Sequence, residues 1–283
     1  MLKIAIQKNG RLTGDTIRLL GEAGIYFQHG ERVLRTLARG MNLEIFFLRD
    51  DDIPEYVHNG VVHGGIVGWN IVLEKSANVE ILKKLDFGHC RLSLAVPRDV
   101  NYEGLEYFRN KRIATSYPEI LKKFFSEKNI PVFIEPIRGS VEISVSMGLA
   151  DGIMDIVSTG STLIMNGLKE VETVLESSAV FIGTPEMDKN ARKEIMELLF
   201  RLDSVTNAQK TRYIMLNAPK EKLEEIIRLI PGVKSPTIIP LAEQGWVSVH
   251  SVIQEESFWM VLQDLKNAGA QGILVIPIEK MVI

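Results

Sequence analysis

The residues best suited to chemistry form one short stretch. Asp155-Ile156-Val157-Ser158-Thr159-Gly160-Ser161-Thr162 places four hydroxyls and a glycine directly behind an apolar run, with one carboxylate inside it. Leu163-Ile164-Met165 can then open a helix. Backbone N–H groups at a helix start, joined by hydroxyls, form a ready-made anion site. Gly160 allows a positive φ or a close approach of backbone to phosphate. Four hydroxyls suit a phosphate monoester without a lysine. Asp155, near the end of the run, could accept from ribose hydroxyls or face a magnesium ion. Read alone, a Ser/Thr/Gly cluster behind a strand is more often a turn or a helix cap.

Such a loop needs a scaffold, and the chain is long enough for one. Its 283 residues are 46% hydrophobic, which suggests two domains or three small ones. A net charge of −3 with 24% charged residues is ordinary and argues against a nucleic-acid surface. The single cysteine, Cys90, excludes an internal disulfide framework and fits a reducing cytoplasm. No stretch approaches the roughly 20 apolar residues of a spanning helix, and the first residues do not read as a signal peptide.

Apolar β-rich runs alternate with helical periodicity through the first two-thirds of the chain. Strands are expected at Lys3–Gln7, Glu44–Arg49, Gly65–Val67, Arg91–Val96, Arg112–Thr115, Val132–Ile137 and Ile153–Val157. Helices are expected at Leu12–Ala23, Tyr117–Lys128 and Ser140–Met147. That rhythm implies open α/β sheets of mainly parallel strands, with ligands at the carboxyl ends of the strands. A long helix, Asp188–Gln209, follows. Beyond it come a strand at Tyr213–Asn217, a helix at Pro219–Leu229, and strands at Thr237–Leu241 and Trp246–Val252. A helix at Glu255–Asn267 and a strand at Gly272–Ile278 complete a ferredoxin-like βαββαβ order.

The segment from Gly148-Leu149-Ala150-Asp151 to Leu163 resembles the phosphoribosyl-diphosphate signature of ATP phosphoribosyltransferases. Blocks in the same order resemble that family along essentially the whole chain. They are Gln7-Lys8-Asn9-Gly10-Arg11-Leu12, Arg49-Asp50-Asp51-Asp52-Ile53-Pro54, Leu85-Asp86-Phe87-Gly88 with Cys90-Arg91-Leu92-Ser93, Lys111 through Pro118, and Ile273 through Met281. The resemblance implies two periplasmic-binding-protein-like α/β lobes and a C-terminal ferredoxin-like (ACT-like) regulatory domain. Lobe I would take residues 1–89 and 180–206, lobe II 90–179, and the regulatory domain 207–283. It implies transfer of the phosphoribosyl group from phosphoribosyl diphosphate to N1 of ATP, with Mg2+, as the first step of histidine biosynthesis. It also implies feedback inhibition by L-histidine and homo-oligomers, dimers assembling into hexamers.

On this resemblance Asp155, Ser158, Thr159, Gly160, Ser161 and Thr162 bind phosphoribosyl diphosphate, with Asp155 on the ribose and open to magnesium. Glu142 either bonds a ribose hydroxyl or completes a cap begun by Ser140. Lys8 and Arg11 suit the pyrophosphate or triphosphate; Arg49 and Asp50 are weaker candidates beside Asp51 or Asp52 as helix caps. Tyr117 either stacks on adenine or packs, near Arg112. Arg32 either reaches the nucleotide or lies on a solvated helix face. Ser235, Thr237 and Ala270 mark where the effector would sit. The chain departs from the family at His63, where an acid would orient the loop or a substrate, at Trp69, and at His89. A His63–His89 metal site lacks partners at ligand spacing. Cys90 reads as a buried structural thiol. The alternative is a non-catalytic small-molecule binder or effector sensor of the same fold.

Overall fold

The computed structural model describes all residues, Met1 to Ile283. The chain divides into two compact units, one of Met1–Arg18 with Ile25–Ile195, the other of Leu19–Gly24 with Met196–Ile283.

The first unit holds two sheets. Into the first go β1 (Leu2–Gln7), β2 (Arg35–Leu37), β3 (Leu43–Leu48), β4 (Gly64–Gly68) and β5 (Glu80–Lys84). Helices α1 (Thr13–Glu22), α2 (Ile53–His58) and α3 (Trp69–Lys75) lie between them in the chain. The second sheet takes β6 (Cys90–Pro97), β7 (Arg112–Thr115), β8 (Phe133–Pro136), β9 (Gly152–Val157) and β10 (Leu168–Ser177), with α4 (Pro118–Glu127) and α5 (Ser161–Met165) among them. The chain then returns to the first sheet as β11 (Ala179–Gly183) and enters α6 (Lys189–Gln209). The orders are β2-β3-β1-β4-β11-β5 and β10-β6-β9-β7-β8. β1 is buried at every residue but Lys3, as a central strand covered on both faces must be.

Both sheets are mixed rather than mainly parallel. β1, β3 and β4 run together, as do β7, β8 and β9, but β11 runs against β4 and β5, and β6 runs against β9 and β10. β6 and β11 adjoin the two passages of chain between the sheets, and the short β2 also runs against β3. β10 escapes the expected strands because two bulges, at Glu170/Glu172 and Thr173/Leu175, break its two-residue period. The helix expected over Ser140–Met147 is instead a 3-10 turn, Val141–Ile143. Gly139 and Ser140 both take positive φ, and the Ser144 hydroxyl bonds the Val141 carbonyl at 2.6 Å, so the backbone has other partners than a helix. Ser140 makes no capping bond.

The second unit carries β12 (Thr211–Pro219), α7 (Leu223–Leu229), β13 (Thr237–Pro240), β14 (Trp246–Gln254), α8 (Glu255–Asn267) and β15 (Gln271–Pro277). Its antiparallel order β13-β14-β12-β15 is the ferredoxin-like arrangement. Ile214, Leu216, Val249, Ile226 and Leu265 form its core. Pro219 ends β12 opposite Trp246 instead of opening a helix; a 3-10 turn, Lys220–Lys222, precedes α7. No helix is long and apolar enough to cross a membrane.

Candidate functional site

β9 runs parallel to β7, so the chain leaves both strands at the same edge of the second sheet. At that edge Ser158–Thr162 turns into α5, with Gly160 at φ +79° and ψ −1°. A Cβ there would meet nothing nearer than Val157 at 3.9 Å, so the glycine answers to backbone conformation, not to space. The Thr159 and Ser161 hydroxyls lie 3.0 Å apart, which draws the loop together.

A cavity of about 270 Å3 opens on this loop. Ser158, Thr159, Gly160 and Thr162 line it on one side; Asp155, Glu142 and Arg11 complete it. Burial pushes the Asp155 carboxyl up to about 6; the Ile156 N–H, 2.8 Å away, works against this, Glu142 adds to it and Arg11 opposes it. Two carboxylates and a guanidinium thus face three hydroxyls, those of Ser158, Thr159 and Thr162, and a glycine backbone, while Ser161 lies outside the cavity wall. This arrangement can hold a phosphate on the hydroxyl side and accept bonds from sugar hydroxyls on the other.

The loop between β1 and α1 brings Arg11 to this place, and a residue not singled out from the sequence holds that loop. Gln7 is buried, its Oε1 accepts the Leu12 N–H at 3.1 Å, and its carbonyl accepts the Thr13 hydroxyl at 3.2 Å. Gly10, at φ +147°, leaves room for that side chain: a Cβ would lie 2.3 Å from Gln7 Nε2. Arg91 is a second positioning residue that the sequence reading passed over. Its guanidinium grips Glu170 at 2.5 and 2.6 Å and donates to the Ser158 carbonyl at 3.3 Å, tying β6 and β10 to the phosphate loop.

A larger cavity of about 700 Å3 adjoins Tyr117, with Asp50, Glu74, Ser116 and Arg138 among its walls. Tyr117 is buried, and burial raises its hydroxyl far above the usual range, with Asp155 adding to the rise. Its ring packs in the core and its hydroxyl lies within electrostatic reach of Asp155, Arg11 and Asp50. Lys8 and Arg49 stand at the carboxyl ends of β1 and β3, lining neither cavity. Asp50, rather than Asp51 or Asp52, makes the local turn bond, to the Asp51 N–H at 3.0 Å; Asp51 pairs with Lys75 at 3.7 Å.

Other expectations move away from the site. His63 lies at the opposite end of β4 from the carboxyl edge, where its Nδ1 accepts the Lys3 N–H at 2.9 Å. It closes the sheet's far end instead of orienting a substrate. Trp69 starts α3 and lines a separate apolar groove with Phe124 and Leu175. His89 is exposed and bonds Asp86 at 3.2 Å, and no cluster of three metal-ligating side chains exists. Arg112 sits at the start of β7, holding Gly148 and Asp151, again at the far edge. Arg32 lies exposed in an irregular segment, not on a helix face. Cys90 is half-buried, and its sulfur accepts from Arg11 at 3.4 Å.

In the second unit, Ser235 is exposed and bonds the Pro236 carbonyl at 3.3 Å, Thr237 is exposed on the edge strand, and Ala270 is buried. The cavity of about 580 Å3 in that unit, bounded by Pro219, Lys220, Glu221, Gly245 and Trp246, includes none of the three.

A two-lobed α/β unit with a hydroxyl-lined loop facing paired carboxylates is an arrangement suited to a phosphorylated sugar. The family model HisG, ATP phosphoribosyltransferase, matches residues 49–204, and that of the HisG C-terminal domain matches 208–280. ATP phosphoribosyltransferases of Bacteroides thetaiotaomicron and Parabacteroides distasonis are 51% and 52% identical, each over the full length of both chains. A solved structure of the ATP phosphoribosyl transferase (HisG:HisZ) complex from Thermotoga maritima is 29% identical with a TM-score of 0.62. The match covers 72% of this chain and 97% of that one. The chain belongs to the ATP phosphoribosyltransferase family.

Proposed function

We propose that the chain transfers the 5-phosphoribosyl group from phosphoribosyl diphosphate to N1 of ATP, releasing diphosphate, the step that begins histidine biosynthesis. The observation that carries the assignment to this site is the convergence of Arg11, Glu142 and Asp155 on the Ser158–Thr162 loop around one cavity. The loop hydroxyls hold the 5′-phosphate. Asp155 and Glu142 accept the ribose hydroxyls. The adenine N1 lone pair forms the bond to C1 as the C1–O bond to diphosphate breaks, and the electron pair leaves on diphosphate oxygen. N1 carries no proton, so Asp155 need not act as a base. Charge develops positively on the ribose and negatively on the leaving group. Arg11, in the cavity wall, takes up the negative charge, with Lys8 contributing from the carboxyl end of β1, and positioning with electrostatics supplies the acceleration.

Asp155 and Glu142 offer hard oxygen donors of the kind magnesium takes. When bound, Mg2+ neutralises diphosphate charge. Arg49, Asp50 and Tyr117 belong to the nucleotide side. Residues 1–89 with 180–206 serve as lobe I, 90–179 as lobe II, and 207–283 as a unit that binds L-histidine near Ser235, Thr237 and Ala270. The ferredoxin-like order of that unit and its family match support a regulatory role, in an enzyme that assembles as dimers and hexamers. The reaction is tested by mixing the protein with ATP, phosphoribosyl diphosphate and Mg2+ and following the ultraviolet change of N1-ribosylated adenine. Turnover is expected; its absence in folded, assembled protein contradicts the reading.

A further inference from the structure

α4 begins with Pro118 and so presents its first free N–H groups at Glu119 and Ile120. Tyr117, at the capping position, makes no side-chain bond to them. The acceptor comes from 45 residues upstream: Glu74, in the last turn of α3, takes the Glu119 N–H at 3.1 Å on one oxygen and the Ile120 N–H at 3.0 Å on the other. α3 follows a strand of the first sheet and α4 a strand of the second, so one carboxylate spans the two lobes. Glu74 also lines the cavity of about 700 Å3 together with Asp50, Ser116 and Tyr117. Its carboxyl is half-buried, and that burial raises it above the usual carboxylate range. The two N–H groups hold it down, Glu119 adds to the rise and Lys75 offsets it.

We infer that Glu74 is a positioning residue for the reaction, a strap between the lobes that fixes the start of α4 and with it the Ser116–Tyr117 wall of the nucleotide cleft. A helix cap is ordinarily supplied by a residue next to the helix. Supplied from the other lobe, the same pair of bonds depends on how the lobes stand, and breaks when they part. A bidentate carboxylate at a helix start is also favoured by the helix dipole. The inference rests on the phosphoribosyltransferase reading, because it assigns this cleft to ATP and the smaller cavity to phosphoribosyl diphosphate.

The test is a pair of substitutions read by steady-state kinetics with each substrate varied in turn. Glu74→Ala removes both bonds and should raise the KM for ATP about tenfold, while the KM for phosphoribosyl diphosphate stays within about twofold. Glu74→Gln keeps one acceptor and turns an amide donor toward the second N–H, so it should raise the ATP KM about threefold. If Glu74→Ala does not fold, the Gln variant, with its Tm measured beside the wild type, decides. Hydrogen exchange over residues 117–127 should quicken in both variants. An ATP KM that stays put in variants with normal wild-type turnover overturns the role of Glu74 alone. An ATP KM that falls overturns it too, since the carboxylate would then be competing with nucleotide phosphate for the helix start. Wild-type protein without turnover overturns the phosphoribosyltransferase reading, and this inference with it.

Discussion

Asp155 carries a measurable signature. Its carboxyl is pushed up to about 6 by burial and by Glu142, against the ordinary value of 3.8. Only the ionised form accepts bonds from both ribose hydroxyls, so kcat/KM for phosphoribosyl diphosphate should fall as pH drops through about 6. Asp155→Asn should lower it about 100-fold at pH 8, the scale of losing charged hydrogen bonds. The same substitution should stabilise the fold. A raised carboxyl contributes stability that is present below its unfolded value and lost as pH rises through the folded one. At pH 8 the wild type therefore holds an unfavourable buried charge, and Asn should gain about 1–2 kcal/mol after allowance for partial exposure. That gain should shrink towards pH 4. Melting curves at both pH values check the sign; a variant less stable than wild type at pH 8 would contradict it. Asp155 and its hydroxyls were legible in the sequence because they are contiguous. Gln7, Arg91 and Glu74 were not, since each acts on a partner that only the fold brings near.

At the scale of elements, strand ends do the positioning, and the turn behind β1 is tightly constrained. Gly10→Ala places a Cβ 2.3 Å from Gln7 Nε2 at a φ of +147°. Gln7 is buried and engaged, so it cannot simply swing aside. We expect a loss of about 1–3 kcal/mol in stability and about tenfold in kcat/KM, because Arg11 shifts with the turn. Gly14→Ala, in α1 with open space around its Cβ, is the control and should lower neither. Steady-state rates and denaturant midpoints on the two variants check both halves. Strands with a regular register and no bulge, such as β7 and β9, were readable from the sequence. β10 was not, because its bulges shift residues between faces, and the 3-10 turn at Val141–Ile143 was mistaken for a helix because Ser140 and Gly139 spend their backbone in left-handed conformations. Glu142 reaches the cavity from that turn all the same.

For the whole molecule, the alternation of strands and helices was legible, while β2, β5, β10, β11 and the strand directions were not. The βαββαβ order of the second unit followed from the sequence. The reversal of β6 and β11 depends on how the chain passes between sheets, which local periodicity does not encode. The same limit displaced His63: the family resemblance implies a residue there that orients the loop or a substrate, and the pairing of β4 with β1 puts it at the far edge. The proposed regulation belongs to this scale. L-Histidine should slow turnover of the full chain, and a chain ending after Gln209, which keeps α6 whole, should be catalytically competent and insensitive to it. A folded, truncated enzyme that L-histidine still inhibits would place the effector outside residues 210–283.

The central claim is that the Ser158–Thr162 loop holds the phosphoribosyl 5′-phosphate, and Thr162→Ala tests it most directly. Thr162 lines the cavity, and removing its hydroxyl should leave α5 in place, since its carbonyl still accepts the Asn166 side chain. The measurement is the KM for each substrate in the ultraviolet assay. A rise of about five- to tenfold for phosphoribosyl diphosphate, with the ATP value unmoved, is the expected result. An unchanged KM for phosphoribosyl diphosphate would remove this loop from the site.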